Sequence, residues 1–225
     1  AYGVLDGQLP TGLNSIVSVS LGIAGGDFRT WCEPEVWRAI GGFIPAATDA
    51  IHFDLRGLVG ELAAASIITA VEAYRVHAAD LDRFPSRYSP ELTVRLRAGA
   101  EVGHRTYERA KQVQARVRDK YLACLAKADV LIVPALPLIA PDAGAETVTL
   151  RGVDILVSDA LSIFTRPFSL AGLPVVVLPV PSGKYQGIGI QLVCAPGSEP
   201  KLFAAARQLL TQAPALGDGA ISNSH

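Results

Sequence analysis

Methionine is absent from all 225 residues, position 1 included, where ordinary usage would give about five. A missing initiator points to processing, trimming or a fragment. Charge is scarce as well: 18% of residues are charged, with 20 basic against 21 acidic groups and a formal net charge of -1. A chain this balanced is neither a polybasic nucleic-acid binder, which must neutralise many phosphates, nor an acidic disordered tail. The three cysteines, Cys32, Cys124 and Cys194, are far apart and odd in number, so no disulfide framework or CxxC metal site is implied. They read as buried small thiols in a reducing compartment. Histidines stand only at 52, 77, 104 and 225, without an i,i+3 or i,i+4 pair, which removes the helical spacing of a zinc site. No run reaches the ~18 apolar residues that cross a bilayer, and Ala1 to Pro10 lacks the basic start and apolar stretch of a signal peptide. The cytoplasm is the expected location, with no membrane, nucleic acid, metal or cofactor implied.

What is present is apolar: 50% of residues are hydrophobic, enough at this length to bury a core unaided by disulfides. Ala1 to Gly7 resembles the last turns of a helix closed by glycine, as if the chain were entered in mid-helix. Residues 16 to 23 are β-branched and partly alternating, a strand ending at Gly25-Gly26. Glu33-Pro34-Glu35 opens a helix, which Gly41, Gly42 and Pro45 weaken. Ile51 to Leu55 reads as a short strand. Glu61 to Asp82 reads as a long, largely buried helix, and Ser89-Pro90-Glu91 as a helix start with serine as N-cap. Arg105 to Lys127 is amphipathic, and its basic residues, with Glu108 and Asp119 interleaved, fit a solvated outer face better than a nucleic-acid stripe.

From Asp129 onward, short apolar runs alternate with proline and glycine. Val130 to Val133 has the continuous apolar texture of a buried parallel strand. Thr147 to Val157, broken at Arg151-Gly152, predicts a hairpin. Pro174 to Val180 and Gly187 to Cys194 predict two strands joined at residues 181 to 184. A last helix runs from Ser198-Glu199-Pro200 to about Gln212, followed by a flexible tail over 213–225. Helices before and between apolar strands give an α/β layered class.

Catalytic spacing is missing. There is no Gly-x-Ser-x-Gly elbow, P-loop or GxGxxG. Glu72 and His77 lie about 140° apart around one helix, too far for a dyad. His77 reads as a hydrogen-bonded residue near the helix end.

The C-terminal segment Phe164-Thr-Arg-Pro-Phe-Ser-Leu-Ala-Gly-Leu-Pro-Val-Val-Val-Leu-Pro179, followed by Gly187-Ile-Gly-Ile-Gln-Leu-Val193 and Leu202 to Arg207, resembles the end of amidase signature enzymes. Val19 to Phe28 is similar to that family's first strand after its catalytic core, and Asp129-Val-Leu-Ile-Val-Pro-Ala135 to its D-x-L-(L/I)-x-P strand. Ile67 to His77 and Arg95-Leu-Arg-Ala-Gly99 resemble the branch of carboxybiuret hydrolases. The resemblance implies an α/β fold, the C-terminal half of the amidase signature fold, with a mixed sheet and helices on both faces. Residues 1–212 would be that part of an amidase domain.

It further implies hydrolysis of a small carboxamide by a Ser, cis-Ser, Lys triad with an oxyanion-binding Gly-Ser loop. The Gly-Gly-Ser-Ser-Gly-Gly region and its lysine are absent here. No catalytic residue is therefore assigned, the chain alone is expected to be inactive, and the N-terminal half of the amidase or a partner chain is an expected partner. A homo-oligomer is left open. Thr165, Arg166 and Gln191 are the substrate-binding candidates, being near the acyl pocket in the family. Arg166 stands where glutamine is usual and Gly187 where proline is common. Arg166 has two readings, a clamp on a substrate carboxylate or a partner of a structural one. Gln191 has two as well, structural or substrate-facing. The alternatives to a hydrolase part are a non-catalytic binding or regulatory module of the same fold and an amidotransferase A-subunit-like protein.

Overall fold

The computed structural model describes residues 18–44, 49–180 and 187–212. The expected helix end at Ala1 to Gly7, the first two residues of the predicted strand at 16, the turn at 181–184 and the tail at 213–225 lie outside the described residues. In chain order, β1 (Leu21–Ala24) leads to α1 (Asp27–Trp31) and α2 (Pro34–Phe43), and β2 (Ile51–Phe53) to the long α3 (Leu58–Arg83). A 3-10 turn at Pro85–Arg87 precedes α4 (Pro90–Ala98) and α5 (His104–Leu125). Then come β3 (Val130–Pro134), β4 (Thr147–Leu150), β5 (Val153–Leu156), α6 (Val157–Ala160) and α7 (Arg166–Ala171). The last elements are β6 (Val175–Pro179), β7 (Gly189–Cys194) and α8 (Glu199–Gln212).

Five strands form a mixed sheet in the order β2-β1-β3-β7-β6, and β4 with β5 forms a separate hairpin. β1 runs parallel to β2 and β3, whereas β7 is antiparallel to both β3 and β6. Every residue of β3 is buried, and successive side chains of a strand point to opposite faces. Both faces of the sheet are therefore covered at its centre. α8 packs against β3, β6 and β7, and α2 and α5 against β3. The continuous apolar run legible at Val130 to Val133 has this cause, and each such side chain stabilises the fold by roughly 1.5–3 kcal/mol. The hairpin turns at Arg151 and Gly152, with φ of 56° and 76°. Positive φ at both central residues is the primed geometry that suits strand twist.

The aromatic core joins three helices and a loop. Phe28 of α1 packs on Phe164 at 5.2 Å and stacks on Phe168 of α7 at 5.8 Å, and Tyr121 of α5 meets Phe168 at 4.8 Å. Ser89 caps α4 as expected, its Oγ accepting the Leu92 N–H at 3.2 Å. α2 continues through Gly41 and Gly42 and stops at Phe43.

Two expectations are corrected. α3 is not largely buried: its buried residues are Leu58, Glu61, Ala64, Ala65, Ile68, Val71 and Leu81, while Val59 and Val76 are 62% and 75% exposed. Its apolar residues are spread around the helix, and only one stripe of them faces α4, α5 and α7, leaving Val59 and Val76 on the outer side. The basic residues of α5 do not all form an outer face either. Arg105, Arg109 and Arg116 are exposed, but Lys120 pairs with the buried Glu61 and Arg118 reaches the α7 backbone. Glu61 also accepts the Tyr121 hydroxyl at 2.8 Å, so a carboxylate buried on the apolar stripe is fully engaged.

Candidate substrate-binding site

The site forms where the chain turns from α6 through Phe164 into α7. α6 is a single turn whose carbonyls at Ser158 and Asp159 accept the Ser162 hydroxyl at 3.0 and 2.9 Å. Thr165 Oγ1 in turn donates to Ser162 O at 3.2 Å, and the Arg166 N–H to the same carbonyl at 3.1 Å. Pro167 occupies the first turn of α7, where its missing N–H is least costly. Gln114 Nε2 donates to Leu170 O at 2.9 Å, and Arg118 holds Ala171 O and Gly172 O. α5 thus binds the last carbonyls of α7, at the negative end of the short helix.

Gln191 lies between Val133 and Val177 in the sheet and is 2% exposed. Its Nε2 donates to Pro134 O at 3.0 Å and Phe164 O at 2.9 Å. The bulky amide of an otherwise apolar strand therefore ties the end of β3 to the turn that carries Thr165 and Arg166. Arg166 pairs with Asp159 at 2.8 Å and approaches Ser66 Oγ of α3 at 3.4 Å. The three sequence candidates are thus brought to one corner, with Thr165 bonded inward, Gln191 beneath the turn, and Arg166 29% exposed above it.

Arg166 and Asp159 open onto a cavity of about 510 Å³ between α3 and α4, lined also by Ser66, Thr69, Arg95 and Leu96. A smaller cleft of about 110 Å³ lies at the ends of β1 and β3, apolar and lined by Trp37, Ile40, His52, Ile132 and Pro134. Among the described residues no group of three or more His, Cys, Asp or Glu side chains is placed to hold a metal. Lys111, Lys120 and Lys201 each face a carboxylate, of Glu72, Glu61 and Asp129 respectively. His77 is hydrogen-bonded to the Tyr88 hydroxyl at 3.2 Å, and Glu72 to the Tyr107 hydroxyl at 2.9 Å, so the two have separate partners. Sequence reasoning missed Asp159, Arg118 and Gln114. The four-residue step from Gln114 to Arg118 on one helix face was the available signal for the last two.

A model of the Amidase family matches residues 50–203, from β2 through the strand of Gln191 into α8. The chain belongs to the amidase family. AtzE of Pseudomonas sp. (strain ADP), a 1-carboxybiuret hydrolase subunit, is 31% identical over 206 residues, covering 90% of this chain and 45% of the relative. The A-type subunit of glutamyl-tRNA(Gln) amidotransferase from Neisseria gonorrhoeae is 35% identical over 104 residues, 46% of this chain and 20% of the relative. Among solved structures, a chain of the vestigial complex tied to the origins of an s-triazine catabolic enzyme superposes with a TM-score of 0.76 at 30% identity. That alignment covers 88% of this chain and 44% of the other. A crystal structure of an amidase gives 0.81 at 26% identity, covering 94% and 49%. This amidase chain spans about half the length of the solved structures it matches. The mixed sheet with its helices is the amidase signature fold.

Proposed function

We propose that this chain is part of an amide hydrolase that cleaves the C–N bond of a small carboxamide, supplying scaffold and substrate pocket. The nucleophilic serine, the relaying cis-serine and the lysine are assigned to residues outside these 225. The observation that carries this reading is the amidase match over residues 50–203 in a chain whose sequence holds no Gly-Gly-Ser-Ser-Gly-Gly region. Chemistry and substrate selection are then divided between two regions of one fold. Arg166 is assigned to substrate binding, Thr165 to shaping the turn beside it, and Gln191 to positioning both through Phe164 O. The partner region is an N-terminal amidase half or a separate chain of that type. Three buried free cysteines support a reducing, cytoplasmic setting, and no described helix is long and apolar enough to cross a membrane.

The test is complementation. The chain alone, given simple aliphatic amides, is expected to release no ammonia. Joined with a segment that carries the Gly-Ser loop and lysine, it is expected to release ammonia, and turnover by the chain alone would remove the proposed division. The match to the glutamyl-tRNA(Gln) amidotransferase protein favours a second reading, a component of an amidotransferase. In that case the completed protein would pass ammonia to an acceptor, and ammonia release would depend on a further protein chain. A purely regulatory module would release none under either condition.

A further inference from the structure

The apolar cleft at the ends of β1 and β3 lies between one row of the sheet and one face of α2. Ile132, Ile23 and His52 are neighbours in register across β3, β1 and β2, so their side chains share a face of the sheet. The row runs from the buried Ile132 to the exposed His52 on the edge strand. From α2 and its C-cap come Trp37, Ile40, Gly41 and Ile44. Their spacing, i, i+3, i+4 and i+7, is the stripe with which a helix covers an apolar surface. Of the residues lining the cleft only Gly41 and His52 are exposed, while Ile40, Ile132 and Pro134 are buried. Gln191 belongs to the other side of the sheet: it pairs with Val133, whose side chain points away from that of Ile132, and it turns to Phe164 O.

Gly41 makes the space. In that stripe its position would carry a side chain toward the sheet, yet a Cβ placed there meets nothing within 4 Å. Its backbone is helical and not of positive φ, so no turn demands glycine, and glycine leaves a helix less stable than alanine would. α2 thus gives up helical stability where a cleft of about 110 Å³ is left open. The floor offers little to hold water, because the β1 backbone is paired with β2 on one side and β3 on the other, and an ordered water needs two to four polar partners. An enclosed apolar cavity of about 150 Å³ stays dry and takes up benzene; this cleft, open on one side, is of the same order. The Trp37 indole on its wall offers a surface to a second aromatic ring. At the mouth stands the His52 imidazole, which among the described residues has no hydrogen-bonding or ionic partner and can donate or accept.

We propose that this cleft binds a single aromatic ring bearing one polar substituent, a phenol-like molecule. The ring lies between the α2 stripe and the Ile23–Ile132 floor, against Trp37, and the substituent reaches His52 at the mouth. The volume admits one ring and not two fused ones. The site lies on the opposite face of the sheet from Gln191 and apart from Thr165 and Arg166, and it does not rest on the hydrolase reading.

The experiment is calorimetric titration of the full chain with phenol, benzene and 1-naphthol. Phenol is expected to saturate one site with a Kd of about 1 mM or below. Benzene, which lacks the hydrogen bond, should bind about fivefold more weakly, and 1-naphthol should not bind. Gly41→Leu should abolish phenol binding and Gly41→Ala should weaken it, while both variants melt at or above the wild-type temperature because each is a better helix former. That combination separates lost binding from lost folding. Gly42→Leu, at the neighbouring glycine off the stripe, should leave phenol affinity unchanged. His52→Ala should bring phenol down about fivefold to the level of benzene and leave benzene as it was. No saturable binding of phenol, equal affinity for phenol and benzene, binding of 1-naphthol as tight as that of phenol, or wild-type phenol affinity in Gly41→Leu would overturn the assignment.

Discussion

At Gln191 two backbone carbonyls, those of Pro134 and Phe164, depend on one buried amide. Gln191→Ala leaves both without a donor, which costs about 1–3 kcal/mol apiece. Urea denaturation should register a loss of about 3 kcal/mol or more, and binding at Arg166 should weaken with it. Asp129 illustrates a titratable tie. Its carboxylate accepts from Lys201 Nζ at 2.5 Å and from the Ser20 N–H and hydroxyl at 2.9 Å each. The Lys201 hydrogen bond first, then the Ser20 backbone, hold its pKa below the ordinary 3.8. A carboxyl whose pKa is lower in the folded state adds stability above its unfolded value and loses it as pH falls through the folded one. Asp129→Asn should therefore lower the melting temperature at pH 7. The difference from wild type should shrink progressively below the ordinary carboxylate range, as thermal melts against pH would report.

Among the elements, α3 has its start secured by a residue of another helix. Gly57 stands at its N-cap without a side chain, and Asp27 of α1 accepts the Gly57 and Leu58 N–H groups at 2.8 and 3.0 Å instead. Asp27→Ala should cost about 1–2 kcal/mol, the range of a lost N-cap, visible in chemical denaturation. Such remote capping explains which features the sequence disclosed. Ser89 before Pro90 was legible because cap and helix are adjacent. So were the unbroken apolar run of β3 and the Arg151-Gly152 turn, since periodicity and turn chemistry are local properties. The burial of α3 was misread because an apolar composition does not fix a face: Val59 and Val76 fall off the packed stripe. The inward turn of Lys120 was hidden because its partner, Glu61, is 59 positions away. At the site, the amidase motif brought out Thr165, Arg166 and Gln191. Asp159 and the cavity arise from the packing of α3, α4 and α6, which no spacing records.

Across the whole molecule the three cysteines report on cooperative opening. Burial and the neighbouring Glu33 push the Cys32 thiol up to about 12, burial and Glu199 push Cys194 to about 11, and burial raises Cys124. Thiolate is the reactive form, so a disulfide reagent at pH 8 should leave all three unlabelled in the native protein. Labelling should then follow the rate of unfolding, and rapid native labelling at any of them would contradict the packing. The placement of β1 beside β3 has a kinetic consequence. Ser20 and Asp129, which fasten these parallel strands, are separated by 109 positions, whereas β6 and β7 adjoin one another in the chain. Closing so long an intervening segment is entropically costly before any pairing rewards it. The β6–β7–α8 end can therefore collapse early. The sheet is completed only when α3, α4 and α5 have folded back and bring β3 alongside β1, which makes the Ser20–Asp129 clasp a late event and its loss chiefly an acceleration of unfolding.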